Sequence, residues 1–445
     1  MTYCKPFIRA AGLVVVALLA AMPGPARAID VERVISAGGI EAWLVRDHAN
    51  PIVTMRFVFR GGSGLDPDGR EGLANMVSGL IDEGASDLDS KTFRQTLEDQ
   101  AIRLSFDAGR DSFGGRLTTR VKTLDEAFNL ARMALNEPRF DDEPVNRIRT
   151  QILAGLRQEL EDPHAIGSRA LFKTLYPDHP YGRPTDGTLQ TVEAITVEDM
   201  RAFVGRRFGR DNLIVGVVGD ITGEQLGALL DSTFGPLPAK AASWVLPEVA
   251  PSAKGRTIVI KKPVTQSSIM FAEQGLKRED PDYYAGFVMN HILGGGSFTS
   301  RLYEEVREKR GLVYSVYSGI YPFDYSSLIL ANAGTANERV SETLQVVAEE
   351  WERMARDGVT GAELGDAKTF LTGSFPLRFT SSGRIAAMLV GMQVSALGID
   401  YLDRRNGLVE AVSKDDTQRV AKRLLKTGNL ITVIVGQPEG VTSSQ

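Results

Sequence analysis

The sequence contains a single cysteine and only four histidines among its 445 residues. One cysteine cannot form an intramolecular disulfide, and its solitary presence excludes cysteine-rich zinc modules. The chain also lacks a marked excess of either charge, because 51 basic and 56 acidic residues leave a formal net charge of −5. This balance argues against a nucleic-acid-binding protein. The remaining composition, 43% hydrophobic and 24% charged, is typical of a folded globular protein with about two to four domains.

Several catalytic motifs are also missing. Neither a G-x-S-x-G nucleophile elbow nor a G-x-x-x-x-G-K-[ST] phosphate loop occurs in the sequence. The glycine run at residues 294–297 is too short to indicate nucleotide binding and is interpreted as a flexible turn. The histidines His48, His164, His179 and His291 include no i, i+4 pair of the kind that zinc hydrolases supply. We interpret them as structural or solvent-facing side chains.

The first 28 residues have the pattern of a secretory signal peptide. Lys5 and Arg9 give a positive start, residues 10–22 form an apolar run, and residues 26–28 match an A-x-A cleavage site. The apolar run is shorter than the roughly 20 residues of a membrane span. We therefore expect a periplasmic or secreted protein without a stable membrane anchor. The mature chain would contain no cysteine, because Cys4 lies in the signal.

An internal repeat divides the rest of the chain into two halves. Residues 212–219 match residues 429–436, and residues 195–199 match residues 412–416 at the same offset. Each longer match predicts a buried strand that follows a helix. The residues between the two halves are rich in proline, alanine and serine, which is typical of a linker.

The repeat predicts a first domain at residues 29–236, a linker at residues 237–254, and a second domain at residues 255–445. Within the halves, strand signals such as Ile52–Arg60 occur in blocks, and helical patterns such as Val145–Leu160 separate them. Blocks of this kind favour an α+β fold over strict βαβ winding.

Three groups of motifs follow one another along the chain. Residues 62–85 contain GS, GLANMVSG and GA in sequence, residues 179–188 read HPYGRPTDGT, and residues 294–314 run from GGGS to REKRGLVY. In this order the motifs resemble the pitrilysin/insulinase superfamily of zinc metallopeptidases, the inverzincins. The similarity is greatest to half-length chains related to mitochondrial processing peptidase, and it covers nearly all of residues 29–440. It implies two homologous domains, each a mainly antiparallel sheet packed with helices.

The resemblance also identifies what this chain has lost. In active members, the first histidine ligand falls on Asn75, the general base on Ser78, and the second histidine on Gly79. The third ligand falls on Gly155, and a further acidic residue of the same helix falls on Ile148. A catalytic zinc needs three protein ligands, and glycine offers no side chain. The resemblance therefore implies a degenerate zinc site and no metal in this chain.

The family's second domain carries an arginine and a tyrosine, which fall on Arg307 and Tyr314. Both side chains donate hydrogen bonds, and the resemblance implies that they bind substrate and stabilise the charge that develops on a carbonyl in the transition state. Without the resemblance, residues 304–310 would be interpreted as a charged, solvated helix face.

These implications lead to a main hypothesis: a non-catalytic subunit of a heterodimeric periplasmic zinc metallopeptidase. A homologous partner subunit would hold the zinc, and this chain, without a cofactor of its own, would close the chamber around a peptide substrate. The peptide would add as a strand to a sheet edge of the zinc-bearing half. Two alternatives remain open, which are a structural scaffold and a stand-alone peptide-binding protein. No nucleic-acid partner is expected.

Overall fold

The structure is a computed structural model that describes residues 29–444, so the predicted signal peptide lies outside the described residues. The first half contains six strands, which are β1 (Glu32–Ile35), β2 (Glu41–Arg46), β3 (Ile52–Arg60), β4 (Arg103–Ala108), β5 (Ser112–Arg120) and β6 (Leu213–Gly219). Its α-helices are α1 (Leu73–Ser78), α2 (Ser90–Asp99), α3 (Leu124–Asn136), α4 (Asp142–Glu159), α5 (Pro163–Leu175), α6 (Leu189–Ala194), α7 (Val197–Arg207) and α8 (Gly223–Phe234).

The second half contains five strands, which are β7 (Arg256–Lys261), β8 (Gln266–Gln274), β9 (Val313–Pro322), β10 (Ser327–Ala336) and β11 (Ile431–Gly436). Its α-helices are α9 (Tyr283–Asn290), α10 (Val340–Asp357), α11 (Gly361–Gly373), α12 (Ser382–Val394), α13 (Tyr401–Glu410) and α14 (Lys414–Leu424). Two wide π-helical turns, His291–Gly295 and Tyr303–Glu308, lie between α9 and β9. A 3₁₀ turn at Phe375–Phe379 precedes α12.

The two sheets share one topology over five strands, and the first sheet has β1 as an additional edge strand. The strand order is β1-β2-β6-β3-β5-β4 in the first sheet and β7-β11-β8-β10-β9 in the second. Each sheet has one parallel pair, β2 with β6 and β7 with β11, and its other neighbouring strands are antiparallel. The prediction of an α+β fold with two mainly antiparallel sheets packed with helices is confirmed. Among the described helices, none combines the length and apolar character that a membrane crossing requires.

Local sequence sets equivalent helix starts in the two halves. The Thr196 hydroxyl accepts a hydrogen bond from the backbone N–H of Asp199 at 3.1 Å, and the Asp199 carboxylate accepts one from the Thr196 N–H at 2.9 Å. Ser413 and Asp416 form the same reciprocal pair at the start of α14. These capping boxes satisfy backbone donors that the first helical turn leaves free. A cap of this kind stabilises its helix by about 1 kcal/mol.

Each half gives one helix to the sheet of the other half. Helix α5 contacts β8 and β11 of the second sheet, where Leu171 and Leu175 are fully buried. Helix α12 contacts β3 and β6 of the first sheet, where Ala386 and Leu389 are fully buried. A fully buried leucine contributes about 2 kcal/mol of apolar transfer free energy. The exchange therefore joins the two halves through apolar core rather than through surface contacts.

Residues 237–254 contain neither helix nor strand, but hydrogen bonds join them to both halves. The indole N–H of Trp244 donates to the hydroxyl of Tyr325 at 3.1 Å. The carbonyl oxygen of Pro247 lies 3.1 Å from Nε2 of His179. This segment thus follows the junction of the two halves and contributes contacts to it.

Candidate functional site

Arg307 and Tyr314 come together at the start of the second sheet's edge strand. Arg307 belongs to the π-helical turn Tyr303–Glu308, and Tyr314 is the second residue of β9. The guanidinium carbon of Arg307 lies 4.9 Å from the ring centroid of Tyr303 and 5.0 Å from that of Tyr314. Cation–π contacts of this kind hold an arginine in place without using its hydrogen-bond donors.

The backbone between these two residues turns sharply at Gly311. Its φ of +62° lies in the left-handed region that favours glycine. The Gly311 N–H donates to the Arg307 carbonyl at 2.8 Å and ends the helical turn. Three residues later the chain is already in β9, which places the Tyr314 ring beside the guanidinium. The glycine is therefore a local reason for the pairing of arginine and tyrosine.

Ion pairs fix the helical turn that carries Arg307. Arg301 binds both carboxylate oxygens of Glu363, with N–O distances of 2.6 and 2.8 Å. Although burial opposes it, this pair together with the cap at Thr360 lowers the pKa of Glu363 to about 2. Glu305 is itself paired at 2.8 Å with the nitrogen of Lys309. The carboxylates of Glu305 and Glu363 are thus engaged by cations other than Arg307.

Solvent reaches the side chains of both Arg307 and Tyr314, although Arg307 is half-buried, with 32% of its side chain exposed. Tyr314 is 78% exposed. Among the described residues, the carboxylate that pairs with Arg307 is that of Glu308, at a distance of 3.9 Å. The guanidinium and the phenol can therefore both donate to an oxygen atom brought from outside this chain. An arrangement of two such donors is suited to a carbonyl that gains negative charge.

The glycine run beside this turn is not a flexible turn, which corrects the interpretation from sequence. Gly294 lies in the π-helical turn His291–Gly295 and is buried. A Cβ atom at Gly294 would lie 2.4 Å from the hydroxyl oxygen and 2.9 Å from the backbone nitrogen of Ser318 in β9. The glycine thus permits close packing of this turn on the edge strand. Wide helical turns are rare and are often found at functional sites.

The positions of the degenerate zinc motif lie on α1 and at its end. Asn75 is half-buried, and Ser78 is buried with its hydroxyl donating to the Asn75 carbonyl at 2.8 Å. The helix begins after Gly72, where the carboxylate of Asp66 accepts hydrogen bonds from the backbone N–H groups of Gly72 and Ala74. The helix that carries the motif is therefore retained, and the Ser78 hydroxyl bonds within that helix.

The remaining ligand positions carry no group that could bind zinc. A Cβ atom added at Gly79 would lie 3.3 Å from Cγ2 of Ile148, and Ile148 packs against the first core. Gly155 lies on the exposed side of α4, where an added Cβ would meet no atom within 4 Å. Zinc ligands are cysteine, histidine and carboxylate side chains. The residues at these positions do not fit the family's zinc ion.

The four histidines lie in separate environments. His48 and His164 are exposed, whereas His179 and His291 are buried, and burial lowers the pKa of both buried side chains. His179 is fixed by the linker carbonyl described above and by the N–H of Tyr181, which donates to Nδ1 at 3.1 Å. Within residues 29–444, no group of three or more histidine, cysteine, aspartate or glutamate side chains is arranged to hold a metal ion.

Sequence reasoning missed the polar contact at the junction of the halves. The Tyr181 hydroxyl donates to the carboxylate of Asp111 and accepts from the backbone N–H of Tyr325 at 3.1 Å. The other oxygen of Asp111 accepts from the N–H of Asp324 at 3.1 Å. These residues lie about 70 to 210 positions apart in sequence. No spacing rule connects residues so distant, although HPYGRP marked the segment that contains Tyr181.

Comparisons with known proteins agree with this architecture. A family described as "Peptidase M16 inactive domain" matches residues 194–371. A relative from Helicobacter pylori named "Non-peptidase homolog YmxG" is 30% identical over 338 residues, which are 75% of this chain and 77% of the relative.

Two solved structures are similar over almost the whole chain. One is a peptidase M16 inactive domain from Pseudomonas fluorescens, with 28% identity and a TM-score of 0.87, covering 93% of this chain and 100% of that one. The other is a protease from Helicobacter pylori, with 20% identity and a TM-score of 0.83, covering 92% of this chain and 99% of that one. The protein is thus a non-catalytic member of the M16 family of zinc metallopeptidases.

Proposed function

We propose that this chain is the non-catalytic subunit of a two-chain zinc peptidase that works in the periplasm. A homologous partner with an intact H-x-x-E-H motif would hold the zinc and activate the attacking water. This chain would close the chamber around a peptide and present Arg307 and Tyr314 to the reacting carbonyl. Its expected location follows from the signal-like sequence at residues 1–28.

One observation carries the proposal. Arg307 and Tyr314 form a solvent-accessible donor pair, and among the described residues the carboxylate paired with Arg307 lies 3.9 Å away. In contrast, Gly79 and Gly155 leave the zinc motif without ligands. A scaffold protein has no need of two free donors held by a dedicated turn. This chain lacks the zinc ligands but retains the arginine and the tyrosine. That combination fits an enzyme in which a second chain binds the zinc.

The experiment compares this chain alone, its partner alone, and the two purified together. Zinc per chain would be measured by elemental analysis and peptidase activity with a quenched-fluorescence peptide library. We expect little zinc and no cleavage for this chain alone, one zinc per pair, and cleavage only by the pair. Stoichiometric zinc in the isolated chain, or full activity of the partner alone, would overturn the proposal.

A further inference from the structure

The second half contains a pocket that the proposed catalytic role does not use. It lies between α9, the 3₁₀ turn at Phe375–Phe379, α12 and α13, and its volume is about 260 Å³. This size suits a single amino-acid residue rather than a whole peptide, since pockets for larger ligands measure about 300–1,000 Å³. The pocket therefore has room for the end of a chain or for a small molecule.

Three arginines line this pocket, and no carboxylate does. Arg278 is half-buried, Arg378 is exposed at the turn Phe375–Phe379, and Arg405 is only 4% exposed. Within the described chain, none of the three has a carboxylate oxygen within ion-pair distance; Nη1 of Arg405 donates instead to the Leu371 carbonyl at 2.6 Å. A buried cation is costly unless an anion or several acceptors face it. The pocket thus carries an uncompensated positive charge.

Three acidic side chains at the starts of the flanking helices α9 and α13 are already engaged. Asp280 pairs with Arg423 at 2.7 Å, and Asp282 pairs with the same arginine at 3.1 Å. At the start of α13, Asp400 pairs with Arg404 at 2.6 Å. These carboxylates form ion pairs with arginines that do not line the pocket. The three lining arginines can therefore bind an anionic ligand.

A network of hydroxyl groups fixes Arg278 in the pocket. Its guanidinium carbon lies 4.0 Å from the ring centroid of Tyr283, and Nη2 donates to the hydroxyls of Tyr284 at 2.9 Å and Tyr401 at 3.2 Å. The Tyr284 hydroxyl also donates to that of Tyr401 at 2.9 Å. In this arrangement the Tyr401 oxygen accepts twice, so its own hydrogen is available to a ligand, as are the N–H groups on Nε and Nη1 of Arg278.

The rest of the lining is apolar. Phe287, Phe375, Met388, Met392 and Leu397 contribute to the same pocket. A ligand that satisfies both parts of the lining has an anionic head and an apolar body. A carboxylate matches the planar arrangement of arginine donors, and an apolar side chain next to it would be removed from water by the aromatic and methionine groups.

We propose that this pocket binds the C-terminal residue of a peptide, with the carboxylate on Arg278, Arg405 and Tyr401 and an apolar side chain against Phe287 and Phe375. The proposal rests on the proposed function only in naming a peptide as the source of the carboxylate. The site belongs to this chain alone and needs neither zinc nor a partner subunit.

The test measures binding to the purified full chain by fluorescence anisotropy. The probe is an N-terminally labelled hexapeptide that ends in phenylalanine, prepared as the free acid and as the C-terminal amide. We expect the acid to bind at least tenfold more tightly than the amide, because a charged hydrogen-bond partner is lost in the amide. Arg278→Gln should weaken the acid about tenfold and leave the amide unchanged, and Tyr401→Phe should weaken the acid to a smaller degree.

The matched control is Arg384→Gln, which removes an exposed arginine of α12 whose guanidinium bonds to the Thr380 hydroxyl outside the pocket. This variant should bind the acid as the wild type does. Equal binding of acid and amide, or unchanged binding by Arg278→Gln, would overturn the proposal. Competition by N-acetyl-phenylalanine is expected, whereas equally strong competition by inorganic phosphate would overturn the carboxylate assignment. Binding of N-acetyl-phenylalanine without binding of the peptide acid would overturn the peptide as its source.

Because every arm uses the isolated chain, the result is independent of the partner experiment. A chain that binds the peptide acid but never forms an active pair would contradict the proposed function alone. If this chain formed an active pair but did not bind the peptide C-terminus, only this inference would be contradicted.

Discussion

The guanidinium carbon of Arg307 lies 5.0 Å from the ring centroid of Tyr314, across the turn that Gly311 makes. The contact couples the two side chains, because the Tyr314 ring that carries the hydroxyl also makes a cation–π contact with the Arg307 guanidinium. Removing the ring would therefore disturb the arginine, whereas removing only the hydroxyl would not. This distinction determines how the two residues are best tested.

Tyr314→Phe is expected to lower the turnover of the reconstituted pair about 10²–10³-fold, the usual effect of losing one donor to a developing oxyanion. The phenyl ring stays under Arg307, so zinc content and pairing should not change. Arg307→Ala should lower turnover at least as much. The control is Tyr317→Phe, which removes another exposed hydroxyl of β9. Steady-state rates at wild-type level in both test variants would remove the proposed role of the pair.

Restoring zinc ligands to α1 and α4 should fail for a steric reason. In a variant with Asn75→His, Ser78→Glu, Gly79→His and Gly155→Glu, the new side chain at position 79 would begin 3.3 Å from Cγ2 of Ile148. Overpacking of this kind costs about 1–3 kcal/mol. We expect zinc well below one ion per chain after dialysis, and a gain when Ile148→Ala is added.

Gly155→Glu alone is the control for this series, because a Cβ at that position meets open space. It should unfold at a denaturant concentration no lower than that of the wild type, because glutamate has a higher helix propensity than glycine. If the fourfold variant bound one zinc per chain without the change at Ile148, the steric account would be wrong.

The exchanged helix α12 requires glycine at position 216. A Cβ atom there would lie 2.8 Å from the Ala386 carbonyl oxygen and 2.9 Å from Cβ of Leu389. Gly216→Ala should therefore reduce the free energy of unfolding by about 1–3 kcal/mol. Gly205→Ala is the matched control in α7, where an added Cβ has no neighbour within 4 Å. It should raise stability by up to about 1 kcal/mol, so equal urea midpoints for the two variants would contradict the packing argument.

Glu273 should make stability depend on pH near neutrality. It is 2% exposed, and burial raises its pKa to about 7 even though the Trp351 indole and the Lys426 backbone N–H donate to it. The ordinary pKa of a glutamate is 4.5, so the folded chain holds this proton between about pH 4.5 and 7. The contribution of this protonated carboxyl group to the free energy of unfolding is full below that window. It is lost as the pH rises through the window, by about 3 kcal/mol in total.

Glu273→Gln does not titrate, which isolates this effect. Urea unfolding at pH 5, 6, 7 and 8 should show the stability of the wild type falling relative to that of the variant as the pH rises. The comparison also cancels the other buried acids, such as Asp82, whose pKa burial raises to about 6. A constant difference between the two proteins over this range would show that Glu273 does not titrate there.

Local patterns predicted the features that depend on neighbouring residues. The strand Ile52–Arg60 has the bounds expected from its sequence. The matching segments 195–199 and 412–416 both begin a helix with a capping box. The family resemblance identified Arg307 and Tyr314 together, because both lie within one short motif, and the structure brings their side chains into contact.

Features that depend on distant residues could not be predicted in this way. Leu389 of α12 is fully buried against the first sheet, but its local sequence does not specify which sheet covers it. The pocket around Arg278 joins residues from four elements that no motif spacing relates. The same limit applies to Gly79, whose lack of a ligand was evident from sequence, whereas its contact with Ile148 was not.

The exchange of α5 and α12 has a mechanical consequence. Each half anchors a helix in the apolar core of the other, so the halves cannot swing apart about residues 237–254 without exposing Leu171 and Leu389 to water. A chain cut within that segment should remain one particle, held by its two interlocked helices. A peptide would therefore have to enter a two-chain enzyme through movement of one subunit relative to the other. The two halves of this chain would keep their relative position during that movement.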